Sequence, residues 1–428
     1  MPWSNPPRKE GELKLAPKAN LAIEGGRPVR KAPLGVMHPG ATFYDKEEIS
    51  AVTEVLKLKS PYRFYGPEFL NVTGRFEKEF AKYLGIRHAL AVSSGTAALH
   101  TALRAMGVGP GDEVVLPAYG WVSCPSAIVA AGATPVLANV DRSLTLDPED
   151  VRSRITSRTK AIMAVHIRGS PADLDSLTSI AKEKGIQLLE DVAQCGGGSF
   201  HGKKLGTIGD IATFSFQLNK MITAGEGGMV VSNEDEKYQR AVMFHDCGTP
   251  YRGLSEGDIG LSVNPFPGVN YRANEIGSAV LRVQLRKLDK IVANTRENKG
   301  KVLKRISGLP GIRIREDKDP SGEIGVAVVF FVETPEKARK FRDALVAENI
   351  RRASGSYPGV VYDKGRDDGH VFPHWRHLVR LEKGDWKKYE SSLDIMSRGV
   401  HLDISPLDSA EDLEDISEGI KKVAEAVL

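Results

Sequence analysis

From about residue 75 to residue 245 the chain alternates short apolar runs with longer amphipathic stretches. The runs span 88–92, 113–116, 135–140, 161–165, 186–189, 212–216 and 229–232, each of strand length. Between several of them lie helix-length segments such as 97–106 and 174–184. This alternation predicts an α/β domain built on a mainly parallel sheet. Gly109-Pro110-Gly111-Asp112 is a turn signal ahead of one strand. Past about residue 290 the pattern changes. Residues 287–306 are charged and helical, a predicted connector. A strand is expected at 325–331 and a helix at 335–348. The last segment, 409–428, opens with Ser409-Ala410-Glu411-Asp412, which has the form of a capping box. Leu413, Ile416, Ile420, Val423 and Val427 then fall on one helical face. The expected division is an N-terminal arm (1–45), a large domain (46–290) and a smaller C-terminal α+β domain (291–428).

Composition narrows the class. A chain of 428 residues with 41% hydrophobic content can bury a substantial core. The net charge of +4 comes from interspersed signs, not the clustered basic residues of a nucleic-acid partner. The three cysteines, Cys124, Cys195 and Cys247, are far apart and form no CxxC pair. That fits a reducing cytoplasm and argues against a disulfide framework or a cysteine zinc site. The start, MPWSNPPRKEGELKLAPKAN, lacks the apolar core of a signal peptide, and no apolar run reaches membrane length. A cytoplasmic protein without nucleic-acid or membrane partners is expected.

Ligands of parallel sheets bind at the carboxyl ends of the strands, so the polar residues there are the first candidates. After 88–92 come Ser93-Ser94-Gly95-Thr96 and then a helix. A helix N-terminus with small residues is an anion site, or simply an N-cap. After 186–189 come Glu190, Asp191 and Gln194. A buried carboxylate needs a cation, in a site or in an ordinary salt bridge. Lys220 follows 212–216, with Ser215 before it and Gly225, Gly227 and Gly228 after it. Desolvated, such a lysine loses its proton and attacks aldehydes; solvated, it is a surface lysine. Tyr119 and Trp121 follow the strand at 113–116 and are either core or a stacking plate. An anion cradle, a buried carboxylate, an aromatic plate and an imine-forming lysine together meet the needs of one cofactor, pyridoxal 5'-phosphate.

The ordered set SSGTAAL, PAYGW, EDVAQ, FSFQLNKMITAGEGG and GVNYRANE resembles the DegT/DnrJ/StrS-type aminotransferases. These are fold-type I pyridoxal-phosphate enzymes that aminate keto-sugars and keto-cyclitols. The likeness runs over about residues 21–288 and more loosely to the end. It implies an aspartate-aminotransferase-like large domain with a seven-stranded, mainly parallel sheet. It also implies that Lys220 forms the Schiff base and that Asp191 keeps the pyridine nitrogen protonated. By the same likeness Gln194 stands beside the phenolic oxygen, Gly95, Thr96 and Ser215 contact the phosphate, and Trp121 stacks on the ring. Asn270 matches an asparagine that reaches the partner subunit's phosphate, which implies a homodimer with shared active sites.

The implied reaction moves an amino group from L-glutamine or L-glutamate to a ketone on a keto-sugar or keto-cyclitol-like acceptor. The alternatives are another pyridoxal reaction, such as elimination, dehydration or cyclisation, or a non-catalytic sensor or partner subunit. Some relatives that dehydrate carry histidine at the position of Lys220, so the lysine favours transamination. The wording LAIEGGRPVR and FSFQ…K…TAGEGG is closer to the glutamine-using scyllo-inosose and 3-amino-5-hydroxybenzoate branch than to nucleotide-sugar members. Arg168 stands where many relatives have tyrosine. It either meets a carboxylate or phosphate on a substrate or pairs with a nearby acid. His370, His374 and His377 lack the HExxH form and have no acid between them, so no metal is expected. Their segment reads as a substrate-facing loop, with His374 the candidate. Gly196-Gly197-Gly198 is followed by a loop rather than a helix and is no dinucleotide fingerprint.

Overall fold

The computed structural model describes residues 20–248, 263–354, 358–364, 369–379 and 385–428. Of the expected arm, residues 1–19 lie outside the described residues. In chain order the first strands are β1 (His88–Val92), β2 (Glu113–Pro117), β3 (Thr134–Ala138), β4 (Thr159–Val165) and β5 (Gln187–Asp191). Next come β6 (Ser199–Phe200), β7 (Lys203–Lys204), β8 (Ile211–Ser215) and β9 (Gly228–Ser232). Seven of them form one sheet in the order β1-β9-β8-β5-β4-β2-β3. β9, between β1 and β8, pairs antiparallel with both, and the remaining pairs are parallel.

Alternation along each strand explains why helices cover both faces. Leu90 and Val92 enter one core while Ala89 and Ala91 enter the other; Val114 and Leu116 are divided from Val115 in the same way. Two strand ends differ from the apolar runs. β5 continues to Asp191 because its ladder with β4 pairs Ala164 with Glu190 and Val165 with Asp191. β3 stops at Ala138, and Val140 instead bridges to Leu146. The segment expected as loop at 199–202 is part of a small hairpin, β6 paired with β7, turning at His201 and Gly202.

The connector is longer than its charged part. It is one helix, Glu275–Ile306, capped by Asn274, whose side chain accepts from the Gly277 N–H. Its first turn does inter-helix work that an apolar pattern does not reveal. The buried Glu275 carboxylate accepts the N–H groups of Val72 (2.6 Å) and Thr73 (2.9 Å), at the start of the helix Val72–Leu84. The boundary expected at 290/291 falls inside this helix. Leu281, Leu285 and Leu288 pack in the core of the large sheet, and Val302 and Ile306 pack in that of a second sheet.

The second sheet comprises β10 (Arg313–Ile314), β11 (Ala327–Phe331), β12 (Gly359–Val360) and β13 (Gly399–Asp403), all antiparallel, in the order β10-β11-β13-β12. The helices Pro335–Ala347 and Ala410–Val427 supply Phe341, Ile416 and Ile420 to its core, and the last helix carries the Ser409–Asp412 capping box. Residues 20–34 are tied to this unit. Leu21 and Leu34 are buried in its core, and Glu348 accepts the N–H groups of Ala22 and Val29, both at 2.8 Å. Among the described residues no helix is long and apolar enough to cross a membrane.

Candidate active site

The carboxyl ends of β1, β2, β4, β5 and β8 open on one cavity of about 780 Å³. β11 and β13 of the second sheet close it with Ala327, His401 and Asp403.

The helix after β1, Gly95–Ala105, is capped by Ser94, whose hydroxyl accepts from Ala97 N at 3.0 Å. Its first intrahelical bond is made by Ala98, so the N–H groups of Gly95 and Thr96 precede the ladder. Gly95 is pressed against β8: a Cβ there would stand 2.7 Å from Ser215 Cβ. Gly95, Thr96 and Ser215 all line the cavity. Backbone donors, a helix dipole and hydroxyls in so tight a cradle fit a phosphate.

β5 ends in two carboxylates that alternation sends to opposite faces. Glu190 faces away, fully buried, and accepts from Gly206 N (2.9 Å), Ile208 N (2.9 Å) and Gly209 N (2.7 Å). His166 Nε2 donates to it at 3.2 Å, since the His166 Nδ1 accepts from Ala172 N. Asp191 faces the cavity, also buried. Its Oδ1 accepts from Ala193 N at 3.0 Å and its Oδ2 from the Cys124 thiol at 3.2 Å. Burial first, and the Asp191 charge second, push the Cys124 thiol well above its usual range.

Lys220 sits in the loop from β8 to β9. The loop is folded on itself by Ala224 N to Phe216 O (3.1 Å), Leu218 N to Gly225 O (3.1 Å) and Thr223 Oγ1 to Phe216 O (2.9 Å). Gly225 has φ +83°, the left-handed conformation this turn requires. The Lys220 side chain lines the cavity. Although the residue as a whole keeps some exposure, its amine is crowded by protein. That desolvation lowers its pKa below the ordinary lysine value, against the opposing pull of Asp191, Cys124 and Glu226.

Gln194 and Arg168 meet at the next edge. The Gln194 Oε1 accepts from Arg168 N at 3.1 Å, and the Gln194 carbonyl from Gly169 N at 3.1 Å. Arg168 has φ +47° and its carbonyl accepts from the Arg315 guanidinium at 3.4 Å. Its Nε donates to the buried Tyr119 hydroxyl at 2.6 Å. Trp121, 45% exposed, borders the cavity with its ring 4.7 Å from that of His370.

Eight predicted residues thus line one cavity: Gly95, Thr96, Trp121, Arg168, Asp191, Gln194, Ser215 and Lys220. Two do not. His374 ends the short turn Phe372–His374 and is not among the lining residues, whereas His370 and His401 are. The segment carrying His370 is docked on the loop after β2 through Gly120 N to His370 O (2.9 Å) and Phe372 N to Ala118 O (3.1 Å). Asn270 is exposed, outside the cavity of its own chain, at a bridge to Asp246. Cys124 and His401 were not singled out as site residues by sequence, and Tyr119 was read only as core or a stacking plate, because their neighbours in the site lie on distant segments. Among the described residues no group of three or more His, Cys, Asp or Glu is arranged to hold a metal ion.

Comparison with known proteins shows the family. The model of the DegT/DnrJ/EryC1/StrS aminotransferase family matches residues 43–421. The chain is 38% identical over 320 residues to 3-amino-5-hydroxybenzoate synthase of Amycolatopsis mediterranei, covering 74% of this chain and 79% of that protein. It is 36% identical over 328 residues to L-glutamine:2-deoxy-scyllo-inosose aminotransferase of Streptoalloteichus tenebrarius, covering 74% and 75%. The crystal structure of a 3-amino-5-hydroxybenzoic acid synthase superposes with a TM-score of 0.76 at 32% identity, covering 92% of this chain and 99% of that one.

Proposed function

Because this chain belongs to the DegT/DnrJ/EryC1/StrS aminotransferase family and is a pyridoxal-phosphate-dependent aminotransferase, we propose that it moves an amino group from L-glutamine or L-glutamate to the ketone of a keto-cyclitol or keto-sugar. Relatives named for 2-deoxy-scyllo-inosose and 3-amino-5-hydroxybenzoate support a carbocyclic acceptor, and relatives named GDP-perosamine synthase support a nucleotide-linked sugar. The observation that carries the reading is the convergence of Lys220, Asp191 and the Gly95–Thr96 helix start on one cavity from three strand ends.

Pyridoxal phosphate, when bound, supplies an aldehyde that takes up the donor's nitrogen and a ring that accepts electron density from the donor's α-carbon. The protein does the rest. Gly95 and Thr96 N–H groups, with the Ser215 hydroxyl, take the phosphate. Asp191 would hold a proton on the ring nitrogen and Trp121 would cover a ring face, since both line the cavity. The Gln194 oxygen is already engaged by Arg168 N, which leaves its NH2 group to donate to the phenolic oxygen. Crowding makes the Lys220 amine easier to deprotonate, so it serves as nucleophile and then as the base that moves the α-proton. Arg168, its backbone held at both N and O in a left-handed conformation and its Nε bonded to the Tyr119 hydroxyl, places a cation at the cavity edge. Asn270 completes the partner subunit's phosphate site in a cytoplasmic homodimer; its exposure outside its own cavity supports this role.

The test is spectroscopic. Purified protein with the cofactor should absorb as a yellow species that borohydride bleaches, and mass mapping should find the pyridoxyl group on Lys220. Glutamine or glutamate should convert the yellow species to the pyridoxamine form. If neither donor changes the spectrum, transamination from these donors is wrong. A panel of cyclic ketones that restores the yellow form then identifies the acceptor.

A further inference from the structure

We propose that Cys124 is a positioning residue for Asp191: its thiol fixes the plane of the carboxylate and occupies one of the acceptor positions beside the cofactor's ring nitrogen. The inference rests on the assignment of Asp191 given above.

A carboxylate presents about four lone-pair positions. In Asp191 the protein fills one on each oxygen, with Ala193 N on Oδ1 at 3.0 Å and Cys124 Sγ on Oδ2 at 3.2 Å. The two donors come from opposite directions in the chain. Ala193 belongs to the same turn as Asp191, whereas Cys124 reaches in from the helix Ser123–Ala130 after β2. With both in place the carboxylate cannot rotate without losing a hydrogen bond in a buried setting, where an unmade bond is costly. Cys124 is 1% exposed and Asp191 4%. Both groups are buried, and ionising the thiol would set two anions against each other. The sulfur therefore stays a donor throughout the working range.

The same turn links this contact to the other face of the site. Cys124 N donates to the Trp121 carbonyl at 2.9 Å. One turn thus carries both the aromatic that covers the ring and the group that aligns the ring nitrogen's partner. The choice of sulfur has a consequence. A thiol is a weak donor, so it steadies Asp191 while leaving most of the negative charge on the oxygens. A hydroxyl at this position would draw more of that charge away from the ring nitrogen. A methyl group would draw none and would leave Oδ2 unsteadied.

The experiment uses holoenzyme reconstituted with cofactor labelled with 15N at the ring nitrogen, read by NMR. Cys124→Ser should move the ring-nitrogen resonance toward neutral pyridine, and Cys124→Ala should move it the other way. Thermal melting and the visible spectrum check that both variants are folded and loaded. Shifts in the same direction, or none, overturn the role of the thiol. Asp191→Asn serves as the reference. If it too leaves the resonance unmoved, the assignment of Asp191 falls and takes this inference with it. If it moves the resonance while the Cys124 variants do not, only the thiol's role is lost. A measurement independent of the cofactor adds to this. In the apo-protein, iodoacetamide should label exposed Cys247 and spare Cys124; rapid labelling of Cys124 in folded protein would contradict a thiol locked on Asp191.

Discussion

At the scale of single residues, the proposed chemistry depends on Lys220, whose surroundings make it less basic. The amine must be neutral to attack an aldehyde. Because desolvation lowers the Lys220 pKa below 10.5, the neutral form persists to lower pH than for an ordinary lysine. The rate of cofactor attachment to apo-protein should therefore rise with pH along a curve whose midpoint lies below 10.5; a midpoint at or above that value would contradict the crowding of the amine. Lys220→Ala should retain no covalent cofactor and lose roughly 10²–10⁴-fold in turnover, the usual contribution of a positioned base. A second buried residue governs stability instead. Burial first and Arg63 second push His245 down to about 3, with Nδ1–H donating to Val242 O and Nε2 facing Arg63 at 3.4 Å. The unfolded chain takes up that proton near pH 6.5, so this stability is present above that pH and is lost as pH falls toward 3. Between pH 7 and pH 5 the loss should be about 2 kcal/mol, measured by urea unfolding as the slope that His245→Gln removes. Lys220 and Asp191 were legible in the sequence because each follows an apolar run, and parallel strands present their ends to one place. Cys124 was not, since its contact with Asp191 spans 67 positions and no local pattern encodes it. His374 was the sequence candidate of its loop, and a single short turn separates it from His370, which lines the cavity.

At the scale of elements, the proposed phosphate cradle rests on the close approach of two backbones. Gly95 against Ser215 leaves no room for a methyl group. Gly95→Ala should force these segments apart at a cost of about 1–3 kcal/mol, read as at least a roughly fivefold rise in cofactor Kd. An unchanged Kd would mean that the helix start is not where the phosphate sits. The strands were legible because alternation between two cores demands apolar residues at nearly every position. Their ends were less so. Ladder hydrogen bonds, indifferent to side-chain polarity, carry β5 two residues past its apolar run to Asp191. The opening of the helix Glu275–Ile306 was missed for a related reason, because buried Glu275 spends its charge on the N–H groups of a neighbouring helix.

At the scale of the whole molecule, the position of Asn270 makes the subunit count a matter of function. If Asn270 serves the partner's cavity, Lys220→Ala and Asn270→Ala homodimers should each be weak or inactive alone. Mixed and allowed to exchange, they form heterodimers with one intact site, about a quarter of all sites by random pairing. Recovery of activity on mixing is the expected result; no recovery in a sample shown to have exchanged subunits would place Asn270 outside the shared site. The two-sheet architecture was legible from the change in pattern near residue 290, but the boundary was not, because one element belongs to both cores. That 32-residue helix, roughly 48 Å long at 1.5 Å per residue, buries one end under each sheet. Neither sheet can melt without stripping half of the rod bare. Heating should accordingly give a single calorimetric endotherm, not a pair, and a cut in mid-rod should cost both halves their solubility.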